Sequence, residues 1–220
     1  MKSFLNKNNK IFNEWNSLNV ISDNASTVGS LDLGLYKTTD GSNKVLEDLN
    51  NNKVEIVYLL GLDSFQFKKK NEFIIYQGSH GDKGAEIADI ILPGAAYTEQ
   101  NGYFTNLEGK LQKAYKASYP PEEAKEDWLI INELAEAMNH RKLFNDKDEL
   151  DSSMFNYLNL YIEKDNLIVS TEFKDLIFEN EILKIANEDY YYSNVIARAS
   201  KTMFECKSAK TNFKSTGTEG

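Results

Sequence analysis

Residues Phe73 to Gln112 read FIIYQGSHGDKGAEIADIILPGAAYTEQNGYFTNLEGKLQ, and their reading decides the fold. Phe73 to Tyr76 is a β-branched and aromatic run that stops at Gly78, and Ala88 to Leu92 repeats the pattern and stops at Pro93-Gly94. Short apolar runs closed by glycine or proline predict strands buried on both faces, the mark of a parallel sheet. Between the two runs lies Gly78-Ser79-His80-Gly81-Asp82-Lys83-Gly84. Beyond them, Tyr103 to Thr105 and Lys110 to Gln112 flank Asn106 to Gly109, a spacing that predicts a tight hairpin.

Upstream, Val54 to Leu60 (VEIVYLL) is a third such run and stops at Gly61. Three buried strands alternating with helices or loops predict an α/β fold, a partial parallel sheet with flanking helices, with its ligand edge at the strand C-terminal ends. Asp23 is placed to cap a short helix carrying Ala25, Val28 and Leu31, closed by Gly34; Ser42 is placed to cap a second carrying Val45, Leu46 and Leu49. Met1 to Lys10 form a polar lead-in. Phe12, Trp15 and Leu18, with Val20 and Ile21, make an apolar anchor, either a short helix or an extended segment pinned by Trp15.

Downstream, Pro120-Pro121 is expected to open a helix with Glu122, Glu123, Glu126 and Asp127 in its first turns, Trp128, Ile131, Leu134, Ala135 and Met138 on its apolar stripe, and His140 and Arg141 closing it. After Arg141 no glycine occurs before Gly217, and apolar clusters fall at Phe155 to Ile162, Leu167 to Val169 and Phe173 to Ile185. Ser193 is placed to cap a last helix carrying Val195, Ile196, Ala199 and Met203, and Ser208 to Gly220 is expected to be disordered. These shifts divide the chain into a lead-in and anchor (1–21), an α/β domain (22–141) and a mainly helical C-terminal tail (142–220).

Lysine plus arginine number 25 against 34 aspartates and glutamates, a net charge of −9, which argues against a nucleic-acid partner or an anionic membrane surface. Cys206 is the lone cysteine and His80 and His140 the only histidines, so these residues form no set for an iron–sulfur cluster or structural zinc, and any redox centre is expected on another chain. A lone cysteine fits a reducing compartment. The longest apolar run, Ile56 to Leu60, is far short of the roughly 20 residues a spanning helix needs, so direct membrane insertion is not expected. No arginine precedes Arg141, unlike the Arg-rich presequence of an imported mitochondrial precursor. The expectation is that a presequence was removed or none was required.

The loop Gly78 to Gly84 follows a strand and invites a phosphate cradle, yet it is not G-x-G-x-x-G, and Lys83 is followed by Gly84 instead of Ser or Thr. Its glycines are expected to allow a tight strand exit at positive φ, with Ser79 and Asp82 bonding the backbone. His80 stands where a general base would, without a recognisable nucleophile motif, and is expected to bond loop backbone. Asp82 and Asp89 make no acid/base pair, Glu99 and Glu108 are expected to fix the hairpin turns, and Cys206 to be a buried small apolar residue. Tyr190 to Tyr192 look like an aromatic anchor. No catalytic residue and no metal ligand is assigned.

The stretch YQGSHGDKGAEIADIILPGAAYTEQNGYFTNLEGKLQ, followed by PPEEAKEDWLIINELAEAM, resembles the C-terminal part of the large iron–sulfur subunits of complex I, the NADH:quinone oxidoreductase, a cofactor-less branch of the molybdopterin oxidoreductase superfamily. The likeness extends to LDLG at Leu31 to Gly34, YLLGLD at Tyr58 to Asp63 and ARASKTM at Ala197 to Met203. It implies a truncated molybdopterin-oxidoreductase-like domain. In active superfamily members a pterin lies across the strand ends and loops, so Gly78, Ser79, His80, Gly81, Asp82, Gly84, Asn106 and Glu108 would be vestigial cofactor-site residues.

The resemblance further implies a non-catalytic structural role, completing the peripheral-arm domain that supports electron transfer from NADH to ubiquinone. No cofactor is then expected on this chain, with iron–sulfur clusters and flavin on partner chains, and the location is the matrix side of the mitochondrial inner membrane. The family's subunits begin with cysteine-rich domains, and this chain begins with Met1 after them. A separate chain carrying the N-terminal iron–sulfur part is therefore expected, alongside other peripheral-arm subunits, and a split, mitochondrially encoded gene fits the AT-rich residue usage. Two rival readings are a working pterin- or nucleotide-binding domain lined by Gly78 to Gly84 and Asn106 to Gly109, and a free-standing interaction protein. A three-stranded sheet exposes edges and apolar faces, so the isolated chain is expected to be insoluble or poorly folded.

Overall fold

The computed structural model describes residues 21–22, 24–35, 41–63, 67–164 and 189–214, with 5, 8, 11–12 and 15–16. In chain order the elements are β1 (Ile11–Phe12), β2 (Trp15–Asn16), α1 (Thr27–Asp32), α2 (Gly41–Asn50), β3 (Ile56–Leu60), β4 (Phe73–Gly78), α3 (Lys83–Ile87), β5 (Ile90–Pro93), β6 (Gly102–Thr105), β7 (Leu111–Ala114), α4 (Asp127–Ala137) and α5 (Lys147–Lys164). A 3-10 turn (Tyr190–Tyr192), α6 (Val195–Ala199) and α7 (Lys201–Lys214) follow. The chain forms two compact units. One gathers Met1–Leu35, Phe104–Gln112 and Asp148–Asn187, and the other Tyr36–Tyr103, Lys113–Lys147 and Glu188–Gly220.

The second unit is built on a parallel sheet of order β3-β4-β5, as the glycine-punctuated runs predict. Pairing of Leu59 with Tyr76 and of Val57 with Ile74 puts these residues on one face, where Leu59, Ile74 and Tyr76 form the core with Val57, Phe67, Ala85, Ile87 and Ala88 packed against it. The expectation of strands buried on both faces holds for β4 alone, and there only past its first residue, Phe73. On the other face Ile56 and Leu60 of β3, Phe73 at the start of β4 and Ile90 of β5 are between 43% and 64% exposed, while Gln77 of β4 is fully buried. Asp89 fastens the sheet: its amide donates to the Ile74 carbonyl (2.8 Å), and its carboxylate accepts from the Ile74 amide (2.8 Å) and from Lys69 (2.6 Å). The Lys69 bond and the Ile74 amide hold its carboxyl below the usual range.

Helix α4 starts later than the prolines suggest. Glu122 adopts φ 48°, and Lys125 bridges Gly94 in parallel, its amide donating to Pro93 O (3.1 Å) while its carbonyl accepts from Ala95 (2.7 Å). Lys125 therefore extends the sheet's hydrogen bonding past β5 through a single bridge, and the helix begins only at Asp127. It ends at Ala137, with Asn139 at φ 60° and the His140 amide donating back to Ala135 O (2.9 Å), so His140 and Arg141 lie outside the last turn. Met138, assigned to the apolar stripe, is exposed, whereas Ile130 and Asn132 are buried. The Asn132 side chain donates to Phe144 O (2.7 Å) and accepts from the Leu143 and Phe144 amides (3.1 and 3.2 Å), tying the following loop to the helix.

In the first unit, Phe12 pairs with Trp15 in an antiparallel ladder, so this part of the anchor is extended. Ile21 is 83% exposed. Helix α1 follows Ser26, and Gly34 past its end takes φ 67°, the left-handed position expected of a closing glycine. The assigned cap Asp23, and the clusters Leu167 to Val169 and Phe173 to Ile185, lie outside the described residues. Ser42 falls inside α2, which starts at Gly41. The last expected helix is two: Asn194, not Ser193, caps α6 by accepting from the Ala197 amide (2.9 Å), and α7 runs on to Lys214, so residues 208–214 are ordered helix. Cys206 is exposed, not buried.

Candidate functional site

Side by side at the C-terminal edge of the sheet, β4 and β5 deliver Gly78 and Pro93, with the Gly94 amide donating to Gly78 O (3.0 Å). There Gly78, Ser79, His80, Pro93, Gly94, Glu99, Glu122 and Glu123 line a cleft of about 620 Å³. Crowding explains two glycines of the loop. A Cβ at Gly78 would lie 2.3 Å from the Tyr76 hydroxyl oxygen, and one at Gly84 would lie 2.7 Å from Leu62 O. Neither glycine has positive φ, nor does Gly81, so the expected positive-φ strand exit is corrected to close approach of the Tyr76 ring.

Tyr76 donates to His80 O (2.9 Å). Burial, then the Asp63 and Asp82 carboxylates, push its phenol up to about 12, with Arg198 opposing. In the unfolded chain this phenol ionises near 10, so folding stability is intact below that pH and falls as pH rises toward 12. The loss is on the order of 1–2 kcal/mol after solvent screening. Alkaline titration of fold stability should show this decline, and Tyr76→Phe should reduce it, leaving the part that the raised Tyr58 phenol contributes.

Ser79 Oγ bonds His80 Nδ1 (3.0 Å), so both side chains pair with each other where backbone partners were expected. Asp82 does bond backbone, accepting from the Lys83 amide (2.8 Å) as the cap of α3. Its second oxygen accepts from Arg198 Nε (2.6 Å), and Arg198 Nη2 donates to Asp63 (2.6 Å). Burial opposes the ionisation of Asp82, but the Arg198 and Lys83 hydrogen bonds outweigh it and hold the carboxyl below its ordinary value. Asn106 and Glu108 serve the hairpin turn: Asn106 Oδ1 accepts from the Glu108 and Lys110 amides (3.0 and 2.9 Å), and Gly109 takes φ 81°. Glu99 closes a different turn, accepting from the Ala96 amide (2.9 Å). Gly78, Ser79 and His80 thus share the cleft, while Asp82 caps α3 and Gly84, inside α3, lies against Leu62 O and the Tyr76 ring.

Sequence reasoning missed two groups. One is a part-buried polar chain, in which the Tyr58 hydroxyl donates to the fully buried Gln77, Gln77 donates to Asp127 (2.8 Å), and Gln100 donates to the other Asp127 oxygen (3.1 Å). Burial and then the Asp127 charge push the Tyr58 phenol up. The other is the Asp63–Arg198–Asp82 bridge. A signal for it exists: the chain uses lysine almost throughout, and Arg198 is one of two arginines. A lysine cannot reproduce a fork onto two carboxylates.

A profile of the family described as Molybdopterin oxidoreductase matches residues 1–137. This chain belongs to the molybdopterin oxidoreductase family. It is 39% identical over 88% of its length to the NADH-ubiquinone oxidoreductase 75 kDa subunit of Reclinomonas americana, and 39% identical over 97% to an NADH-quinone oxidoreductase subunit of Rickettsia bellii. It is 37% identical over 88% to the mitochondrial NADH-ubiquinone oxidoreductase 78 kDa subunit of Candida albicans. The chain spans 28–30% of the length of these curated relatives.

Membership in the molybdopterin oxidoreductase family implies a phosphate-bearing pterin, and the cleft does not fit one. Its lining carries Glu99, Glu122 and Glu123 and neither lysine nor arginine. The Lys83 amide at the start of α3, a donor a phosphate would take, already serves Asp82. Among the described residues no three His, Cys, Asp or Glu side chains gather as a metal site, and no helix is long and apolar enough to cross a membrane.

Proposed function

We propose that this chain is a structural part of the large iron–sulfur subunit of mitochondrial complex I, completing the domain that braces the peripheral arm between NADH and ubiquinone. The observation that carries the reading is the likeness, over nearly the whole chain, to large subunits of NADH–quinone and NADH–ubiquinone oxidoreductases. Two features of the fold support it. The end of the sheet face that bears Ile56, Phe73 and Ile90 is apolar and exposed, the kind of surface that further protein covers in an assembly. The cleft at the strand ends carries carboxylates where an anionic cofactor would need donors. Its partners are then the iron–sulfur portion of the same subunit and neighbouring peripheral-arm subunits, which hold the clusters and flavin, at the matrix side of the inner membrane.

Blue-native electrophoresis with an antibody to this chain tests the assignment. Comigration with the NADH-oxidising band is the expected result, and migration of the chain apart from it refutes the proposal. Metal analysis of that band tests the structural role: molybdenum or tungsten stoichiometric with this chain would restore the pterin-binding alternative.

A further inference from the structure

Residues 189–214 are braced internally as one piece. Asp189 pairs with Lys207 and caps the Tyr190–Tyr192 turn, and the Lys207 ammonium stands 4.2 Å from the Tyr192 ring centroid. The Met203 amide at the start of α7 donates to Ser200 (3.3 Å), and Arg198 Nη1 donates to Tyr192 O (3.3 Å), binding α6 to the turn. Outward, the same guanidinium reaches 135 residues back to Asp63, just past β3, and 116 residues back to Asp82, just past β4. All three side chains are mostly buried, at 27%, 19% and 19% exposure, where screening by water is weak.

We propose that residues 189–214 are a strap and Arg198 its latch, a single guanidinium that holds the C-terminal helices against the loops following β3 and β4. The strap thereby braces the loops after β3 and β4 and leaves the cleft between the ends of β4 and β5 open. Arginine is required because one planar group must donate in two directions at once, from Nε to Asp82 and from Nη2 to Asp63, while a third nitrogen holds the Tyr192 carbonyl. Asp82 has two duties, one oxygen capping α3 and the other receiving the latch, so the strap and the loop Gly78 to Gly84 are ordered together.

Hydrogen exchange followed by mass spectrometry on the full chain tests this with three variants. Arg198→Ala is expected to speed exchange across residues 189–214 by at least tenfold while leaving the β4 amides of Ile74 and Tyr76 at their original rate. Arg198→Lys keeps one charge pair and loses the fork, so it should give a smaller acceleration in the same residues. Asp82→Asn preserves a capping oxygen for the Lys83 amide but removes the charge, and should match Arg198→Lys. Equal acceleration in β4 and the strap would mean a general loss of stability and would overturn the latch. So would unchanged strap exchange in Arg198→Lys and Asp82→Asn, which decide the matter even where Arg198→Ala does not fold.

Discussion

Gly78→Ala is expected to cost about 3 kcal/mol, a large fraction of the stability of an ordinary domain. The added Cβ would sit 2.3 Å from the Tyr76 hydroxyl oxygen and 2.5 Å from the ring carbon that bears it, well inside van der Waals contact. Relief requires the Tyr76 ring to move, yet it is 1% exposed, packed with Leu59 and Ile74, and bonded through its hydroxyl to His80 O. Gly81→Ala, three residues along the same loop, is the control. Nothing lies within 4 Å of a Cβ there and φ is not positive, so a change within about 0.5 kcal/mol of neutral is expected. Pulse proteolysis across a urea series reads both variants at concentrations low enough to avoid association through the exposed sheet face. Equal effects at the two glycines would show that loop flexibility, not crowding, is what the sequence preserves.

Asn132→Leu should destabilise by a comparable amount, about 3 kcal/mol, despite replacing a polar residue in the interior with an apolar one. Asn132 is 2% exposed, and its amide satisfies one carbonyl and two backbone N–H groups of the Leu143–Phe144 segment. Leucine fills similar volume but leaves those three part-buried groups without their partner, each at a cost of about 1 kcal/mol, the low end for an unsatisfied group. By contrast Glu133→Ala on the next position removes a pair to Lys125 in which both side chains are about half exposed, and should cost less than about 1 kcal/mol. The same proteolysis series compares the two, and an Asn132→Leu chain as stable as the parent would show that the staple contributes nothing.

How much was legible follows from the range over which each interaction acts. The strand runs, their glycine and proline stops and the closing Gly34 are local, and the parallel sheet and left-handed glycine appear where the residue pattern puts them. The family likeness is also a property of the chain as written. The start of α4 is misplaced by sequence pattern because two prolines and a run of acids are a strong local signal for a helix N-terminus. Pairing of Lys125 with the end of β5 overrides that signal. The loop at the cleft reads as a glycine-permitted turn because glycine's commonest use is positive φ, while the reason in this fold is an aromatic ring folded back over its own loop.

The sequence by itself determined that this chain is an α/β member of the molybdopterin oxidoreductase family with a glycine-rich loop after a buried strand. It determined too that its two histidines and one cysteine form no cluster-binding set. Tertiary structure alone decided that Gly78 makes room for the Tyr76 hydroxyl and Gly84 for Leu62 O and the Tyr76 ring, that Gln77, Gln100 and Asp127 share a part-buried network, and that Arg198 spans more than a hundred residues to Asp63 and Asp82. The physical reason is that strand and turn preferences arise within a few bonds of each residue. Close approach and charge pairing exist only once distant segments have been packed together and water has been excluded from between them.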